Sequence, residues 1–213
     1  MDKITNPHRR KQIEEFVDDN HPSVMSEYYD VLDRDLSPIR LKKVMNKLIK
    51  KDPLFFDPYL ILADILYSEN KPEEARELLS NAYVRAVKRI ADKDGNWPKR
   101  MEWGWLENRH IMRFIVRYAY LCWEEGGTEE ALDIFRNLLR ANPDDNQGVR
   151  YAILAIKLGL GPDWDDEFLV TKGPMAGEAL DARKVMDWFE KHARRFPEEF
   201  DWLFEEWKRR GYD

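Results

Sequence analysis

One helix-hairpin pattern occurs twice in this chain, over Tyr59–Ala82 and Ile115–Pro143. Each copy has large apolar residues on one helical face, small residues where two helices would cross, a turn at Asn70 or Gly126, and a second amphipathic helix. Helix pairs that repeat in this way bury their apolar faces by packing on neighbouring copies. The pattern therefore restricts the chain to an all-α fold built from packed helical hairpins.

The same register extends to four first helices, which start at positions 22, 56, 112 and 146. The first two starts are 34 residues apart, and so are the last two. Between 56 and 112 the offset is 22 residues longer than one unit, and the extra residues lie near 85–108. A second insertion, near 160–177, is bounded by Gly-Pro pairs. Four hairpins with two insertions are thus predicted over residues 22–197.

The two ends of the chain are predicted to be capping helices. Residues 1–21 include Ile13 and Phe16 at helical spacing, within a helix expected over Pro7–Val17. Residues 198–213 place apolar side chains in an i, i+3, i+4, i+7 stripe. Such helices would cover the apolar faces that the first and last hairpins leave exposed.

The combined spacing of large residues, small residues and turns resembles the tetratricopeptide repeat, whose unit is a helix pair of about 34 residues. The second copy, with its flanking residues 109–148, is also similar to a segment of uncharacterised bacterial-type tetratricopeptide proteins. The resemblance implies a right-handed superhelical solenoid with a concave groove. It also implies that the groove binds a protein or peptide rather than performing chemistry.

In that family, the second, fifth, sixth, ninth and twelfth residues of each first helix commonly face the groove. Carried over to this chain, the N-terminal half of the groove would be acidic: Ser23, Ser26, Glu27, Asp30, Asp33, Asp57, Leu60, Ile61, Asp64 and Tyr67. The C-terminal half would be basic and aromatic: Arg113, Val116, Arg117, Tyr120, Trp123, Gln147, Arg150, Tyr151, Leu154 and Lys157.

This placement favours a groove that binds an acidic peptide or a C-terminus, because arginine forks hold carboxylates in two-pronged geometry and stack on aromatic rings. The predicted binding residues are Arg113, Arg117, Tyr120, Trp123, Arg150, Tyr151 and Lys157. The alternative is that these arginines pair with acidic residues of neighbouring helices. The lysine and asparagine of chaperone-binding relatives are replaced by Val116 and Tyr120, so a chaperone-cofactor role is not implied.

Composition weighs against several other functions. With 35 Lys and Arg against 41 Asp and Glu, the net charge of -6 makes nucleic acid an unfavoured partner. No apolar run reaches the length of a membrane span, and the N-terminus has no apolar leader. The single cysteine, Cys122, lies on an apolar helix face and cannot form an intramolecular disulfide. We expect a cytoplasmic protein that does not interact with membranes.

No catalytic, cofactor or metal motif is found. The four histidines are far apart in sequence and match no paired-ligand spacing, and there is no glycine-rich phosphate loop. The segment Asp92–Asn96 resembles the start of a calcium loop, but Trp97 stands where such a loop needs glycine. Trp97, Trp103 and Trp105 form either an exposed adhesive edge or a filling for the first insertion.

The sequence thus predicts a protein-binding module that is not an enzyme and needs no cofactor. Two alternatives remain open. One is a scaffold that associates with itself as a homodimer, and the other is a small hydrolase or nucleic-acid regulator with a composite site.

Overall fold

The computed structural model describes residues 12–19 and 21–212, and the regular structure within them is helical. The helices are α1 (Pro22–Leu32), α2 (Pro38–Lys51), α3 (Asp57–Ser68), α4 (Pro72–Ile90), α5 (Leu106–Glu124), α6 (Thr128–Ala141), α7 (Val149–Lys157), α8 (Ala182–Ala193) and α9 (Pro197–Arg210). A short 3-10 turn at Asp166–Phe168 and an isolated antiparallel bridge between Leu169 and Leu180 lie between α7 and α8. The predicted all-α class is confirmed.

Proline begins many of these helices. Pro22, Pro38, Pro72 and Pro197 are the first residues of α1, α2, α4 and α9. A proline at this position costs no hydrogen bond, since the first N–H groups of a helix have no partner within it, and its fixed φ suits a helix start. The helix starts are therefore largely written into the local sequence.

The turns of the second and third helix pairs share one geometry. Asn70 and Gly126 both have positive φ, of 59° and 86°, directly after α3 and α5. In each turn the next N–H bonds back to the helix, from Lys71 to Leu66 and from Gly127 to Cys122, at 2.9 and 2.8 Å. This hydrogen bond, which spans six residues, satisfies a free carbonyl group at the C-terminal end of the helix, and the chain reverses direction there.

The helices form four successive pairs followed by α9. Within each pair the two helices are in contact, and α2, α4 and α6 also contact the first helix of the following pair. The first helices α3 and α5 touch each other directly. One continuous apolar core, including Phe55, Leu79 and Phe135, runs through the pairs. Four contacting helix pairs lie between Pro22 and Ala193, and none of the helices in the described part is long and apolar enough to cross a membrane.

The first insertion and the N-terminal segment are packed together. Helix α4 runs on to Ile90, and the chain then has no helix until α5. Residues 12–19 are not helical, and their backbone pairs with the insertion: Phe16 N donates to Arg100 O at 2.8 Å, and Lys99 N donates to Ile13 O at 2.9 Å.

The predicted N-terminal capping helix is therefore wrong for residues 12–19. The backbone groups of this segment find partners on another part of the chain, and local helical spacing cannot anticipate that choice. The earlier part of that predicted helix, residues 7–11, lies outside the described residues. A C-terminal helix is present as α9.

Candidate functional site

Arg113, one of the predicted groove residues, is held by an internal carboxylate. Its Nε donates to Asp57 Oδ1 at 3.0 Å and its Nη2 donates to Asp57 Oδ2, so α5 and α3 are joined by a two-pronged pair. Asp57, which was expected to face the groove, is 2% exposed. The Arg113 guanidinium also lies over the Trp103 ring, 5.8 Å from its centroid. The alternative of internal pairing fits this arginine.

Arg117, one turn further along α5, is held more loosely. Its contacts with Glu124 of the same helix are 3.3 Å long, and its side chain is 35% exposed. Desolvation by the surrounding protein raises the pKa of the nearby Asp64 carboxyl on α3, while the positive charge of Arg117 acts against that rise. Arg117 is therefore free to meet an external carboxylate at low energetic cost.

Tyr120 and Trp123 do not face open solvent. Trp123 is 4% exposed, and Tyr120 packs on Trp123 and on Phe135. The second insertion supplies Trp164, which lies beside the Tyr120 hydroxyl, and burial raises the pKa of Tyr120 to about 12. The chain's own insertion thus covers the part of the predicted groove that these two residues would line.

Trp164 belongs to an aromatic group that joins the insertion to the last hairpin. Its ring stacks on Trp188 of α8 with centroids 5.3 Å apart, and it also contacts Tyr151 and Phe168. Trp164 and Phe168 are each 7% exposed. The insertion is therefore a packed part of the core at its base, while its tip, residues 171–178, is exposed.

Lys157 of α7 is engaged with the start of α9. Its Nζ lies 3.2 Å from Glu198 and 3.4 Å from Glu199, and it also lies over the Phe196 ring. Glu199 is paired with Arg136 of α6 as well, and this pair holds the pKa of Glu199 below its usual range. Lys157 thus has a structural partner on the C-terminal helix.

Arg150 of α7 sits inside a box of aromatic rings. Its guanidinium carbon lies 4.1 Å from the centroid of Tyr151, 5.5 Å from that of Phe189 and 5.4 Å from that of Trp207. Cations over aromatic faces are attracted by the ring quadrupole, more strongly where water is excluded. We call this arrangement the Arg150 box.

Asp145 is the carboxylate that neutralises the Arg150 guanidinium. Arg150 Nη1 donates to Asp145 Oδ2 at 2.7 Å, and the same carboxyl accepts Val149 N at 2.7 Å and Arg150 N at 3.2 Å. The side chain of Asp145 is 1% exposed, and burial raises its pKa to about 6 although Arg150 acts against the rise. Asp145 thus caps the N-terminus of α7 and positions the arginine.

A cleft of about 860 Å³ opens above the Arg150 box, between α7, α8 and α9. Its walls are aromatic: Tyr151, Phe189, Phe204, Trp207 and Tyr212. Pockets that hold ligands in proteins commonly measure about 300–1,000 Å³ and combine aromatic walls with a few polar groups. We call this space the C-terminal cleft.

The rim of the C-terminal cleft carries charges of both signs. Glu190, Asp201 and Glu205 line it together with Arg194 and Lys208. Within the described residues none of these five side chains forms an ion pair, although the Arg194 guanidinium lies 5.9 Å from the Phe204 centroid. Of the seven predicted binding residues, the structure brings Arg150 and Tyr151 into one cleft.

The N-terminal half contains a buried polar cluster whose members have no recognisable spacing in the sequence. Asp18, whose side chain is fully buried, accepts hydrogen bonds from Arg89 at 2.7 Å, from His21 at 2.9 Å and from His110 at 3.0 Å. Burial alone would raise the pKa of Asp18, but these bonds outweigh it and hold the pKa below 3.8. His21 also bonds to Asp52 through its second ring nitrogen. We call this group the Asp18 cluster.

Three members of the Asp18 cluster meet the distance requirement of a metal site. One oxygen of Asp18 and one ring nitrogen each of His21 and His110 lie within 4.8 Å of one another. Phe56 N, however, donates to His110 Nδ1 at 3.1 Å, so a neutral His110 has its proton on Nε2, the atom that faces Asp18. That nitrogen then has no lone pair for a metal. The cluster fits a hydrogen-bonded joint better than a metal centre.

The tryptophans of the first insertion have separate roles. Trp97 and Trp103 pack against the core, and the Trp103 ring carries the guanidinium of Arg109 at 5.2 Å. Trp105 is 46% exposed, and its indole N–H donates to Glu15 at 2.9 Å. The three rings thus do not form one shared exposed edge; they hold the N-terminal segment and α5 in place.

Asp92 closes the turn that ends α4. Its Oδ1 accepts the backbone N–H of Asp94 and of Asn96, each at 2.9 Å. Because the Asp92 carboxylate accepts backbone hydrogen bonds of its own turn, the segment is a polar turn, which agrees with the absence of the calcium-loop glycine at position 97.

Comparison of the chain with protein-family models, with curated proteins and with solved structures found no match.

Proposed function

We propose that this chain is a protein-binding module whose C-terminal cleft holds a short segment of a partner protein. The observation that carries the proposal is the cleft itself, with aromatic walls, a volume of about 860 Å³ and unpaired charges on its rim. Aromatic side chains that remain accessible in a cleft supply much of the binding energy at protein interfaces.

The rim indicates what kind of segment would bind. Its three carboxylates outnumber its two cations, and Asp145 already neutralises Arg150. We therefore propose a segment that places an apolar side chain against the aromatic walls and a basic residue next to it. The preference for an acidic peptide is not extended to this cleft, because Arg113 and Arg150 already bind internal carboxylates.

The wider architecture supports a binding role of the same kind. Four successive helix pairs with direct contact between α3 and α5 are compatible with a right-handed solenoid of the tetratricopeptide type, which we propose as the arrangement and the family. We also propose the cytoplasm as its location; the lone Cys122 is buried and unpaired, and burial raises the pKa of its thiol to about 11.

The test compares two substitutions at equally exposed apolar residues. Met186 lines the cleft and is 50% exposed, while Val84 lies on α4 and is 51% exposed. A partner captured by the wild type is identified, its cross-links are mapped, and the cross-linked segment is synthesised. We expect Met186→Asp to weaken binding of that segment at least about tenfold and Val84→Asp to leave it unchanged.

Equal binding by both variants would refute the cleft as the site. Cross-links that join only copies of this chain would favour the self-associating scaffold instead.

A further inference from the structure

Helix α2 has an unusual charge distribution for a protein with a net charge of -6. Six of its 14 residues are basic and none is acidic. Its inner face is fixed by Met45 and Leu48, which are fully buried, so the basic residues are confined to the outer face and its edges. This face belongs to the first helix pair, whereas the C-terminal cleft is formed by α7, α8 and α9.

The basic residues of α2 fall into two groups. Lys42 pairs with Glu69, and Lys47 and Lys51 pair with Glu27, so these three are matched by acidic residues of neighbouring helices or turns. Arg40, Lys43 and Lys50 form no ion pair with any described residue. Together with Lys47 they follow an i, i+3, i+7, i+10 spacing, which places them along one face of the helix.

An apolar depression lies within this basic stripe. A shallow cavity of about 580 Å³ is lined by Ile39, which is 70% exposed, by Asn46, and by the methylene stems of Lys42, Lys43, Lys47 and Lys50, and its walls are almost entirely apolar. Long lysine side chains can present their stems to an apolar group while their ammonium groups stay in water. The depression is therefore apolar at its base and positively charged at its edge.

We propose that the outer face of α2 binds an acidic protein segment that places one apolar side chain in this depression. Carboxylates on either side of that side chain would meet Arg40, Lys43 and Lys50, the three cations that have no internal partner. Complementary charge around a buried apolar contact gives such an interface both its register and its selectivity.

The surroundings favour a short protein segment over a membrane or a nucleic acid. Glu27 and Glu69 border the stripe on its two sides, and both remain partly exposed. A flat anionic bilayer or a continuous phosphate backbone would meet these carboxylates, whereas a narrow segment fits between them. The apolar base is also concave, which suits an inserted side chain.

The test uses a fluorescein-labelled acidic peptide with a single central leucine. A helical peptide of about 12 residues covers the roughly 15 Å from Arg40 to Lys50. Its binding to the full chain is measured by fluorescence anisotropy for wild type, for K43E/K50E and for Ile39→Ser. The matched control is K172E/R183E, which changes the net charge equally at two exposed residues remote in sequence from α2.

We expect K43E/K50E to weaken peptide binding at least about tenfold, and the control to change it less than about twofold. Ile39→Ser should weaken binding about threefold, and a peptide with serine in place of leucine should lose the same factor and then be insensitive to Ile39→Ser. Circular dichroism verifies that each variant is folded, which is expected because all four charged positions are exposed.

Three results would overturn the proposal. The first is an equal loss in K43E/K50E and in the control, and the second is an absence of saturable peptide binding. The third is tighter binding of phosphatidylserine vesicles or of a DNA duplex than of the peptide, with the same dependence on Lys43 and Lys50. Since Met186→Asp leaves α2 untouched, failure of this site is distinguishable from failure of the C-terminal cleft.

Discussion

The N-terminal and C-terminal halves of this molecule are stabilised by different kinds of interaction. In the N-terminal half, the Asp18 cluster joins the non-helical N-terminal segment to α4 and α5 through a fully buried carboxylate with three donors. In the C-terminal half, the Arg150 box joins α7 to α8 and α9 by stacking a guanidinium between aromatic rings. Hydrogen bonds around a buried charge depend on every partner, while stacking contributions are spread over several rings.

The difference also separates a closed region from an open one. The side chains of Asp18 and His110 are 0% and 1% exposed, so the centre of this cluster is closed to a ligand. The Arg150 box is the floor of a cleft open to solvent. The polar joint therefore has a structural role, and the aromatic one is available for binding.

The largest expected effect comes from removing the carboxylate of the Asp18 cluster. Asp18→Ala removes the acceptor of the buried His21 and His110 and of the partly exposed Arg89, and should lower the free energy of unfolding by about 3–5 kcal/mol. Because the pKa of Asp18 is below 3.8 in the folded protein, its contribution is present above that pH and is lost as pH falls through the folded value. Urea denaturation at neutral and acidic pH measures both effects.

Asp19→Ala is the matched control for that substitution. Asp19 binds the same Arg89, but its side chain is 81% exposed, so its loss should change the free energy of unfolding by less than about 1 kcal/mol. Equal effects of the two substitutions would show that burial does not distinguish these carboxylates.

The second prediction concerns the aromatic base of the second insertion. Trp164→Ala removes the stack on Trp188 and should lower the free energy of unfolding by roughly 3 kcal/mol. The insertion should also open, which would raise the rate of tryptic cleavage after Lys172. In the control, Trp105→Ala, a half-exposed ring is lost and a smaller change is expected. An unchanged cleavage rate would mean that the insertion is held by other contacts.

A third, smaller effect should be dependent on pH. Arg150→Met keeps apolar contact with the rings but leaves Asp145 buried without its cation, and should lower the free energy of unfolding by about 2 kcal/mol at about pH 7.5. The pKa of Asp145 is already about 6 with Arg150 present, so it rises further without it. Protonation of Asp145 then stabilises the variant more than the wild type. The difference in free energy of unfolding between them should therefore be smaller at about pH 5. A loss that is the same at both pH values would contradict this account.

The smallest effect is expected at Arg117. Because its contacts with Glu124 are long and partly exposed, Arg117→Ala should change the free energy of unfolding by less than about 1 kcal/mol. Arg113→Ala, one turn earlier, should change it more, since Asp57 would stay buried without its partner. Thermal or urea unfolding of the two variants side by side tests this difference between neighbouring arginines.

The helices were more predictable than their contacts. The helices between residues 22 and 197 and the turns at Asn70 and Gly126 follow from apolar spacing, proline and residues that tolerate positive φ. The same kind of spacing predicts the N-terminal capping helix, yet residues 12–19 are not helical. Their backbone bonds to the first insertion, and such a long-range partner leaves no periodic signal.

The partners of the site residues could not be predicted from the sequence. Arg113, Arg117 and Arg150 share a residue type and a predicted face, but one carboxylate lies under the first and another under the third. His21 and His110 are far apart in sequence and match no paired-ligand spacing, yet both bind Asp18, and their ring centroids are 5.4 Å apart. A search for ligand or hydrogen-bonding residues that lie close together in sequence cannot find such a group.

The sequence by itself determined the helical hairpins and the points where they begin and turn, because apolar periodicity, proline and positive-φ residues act over a few neighbouring positions. The tertiary structure decided which charges are neutralised, which aromatic rings are covered by the second insertion, and which cleft stays open. Those outcomes depend on distances between residues that are up to 92 positions apart, as in the bond between Asp18 and His110. Packing, rather than local preference, sets such distances.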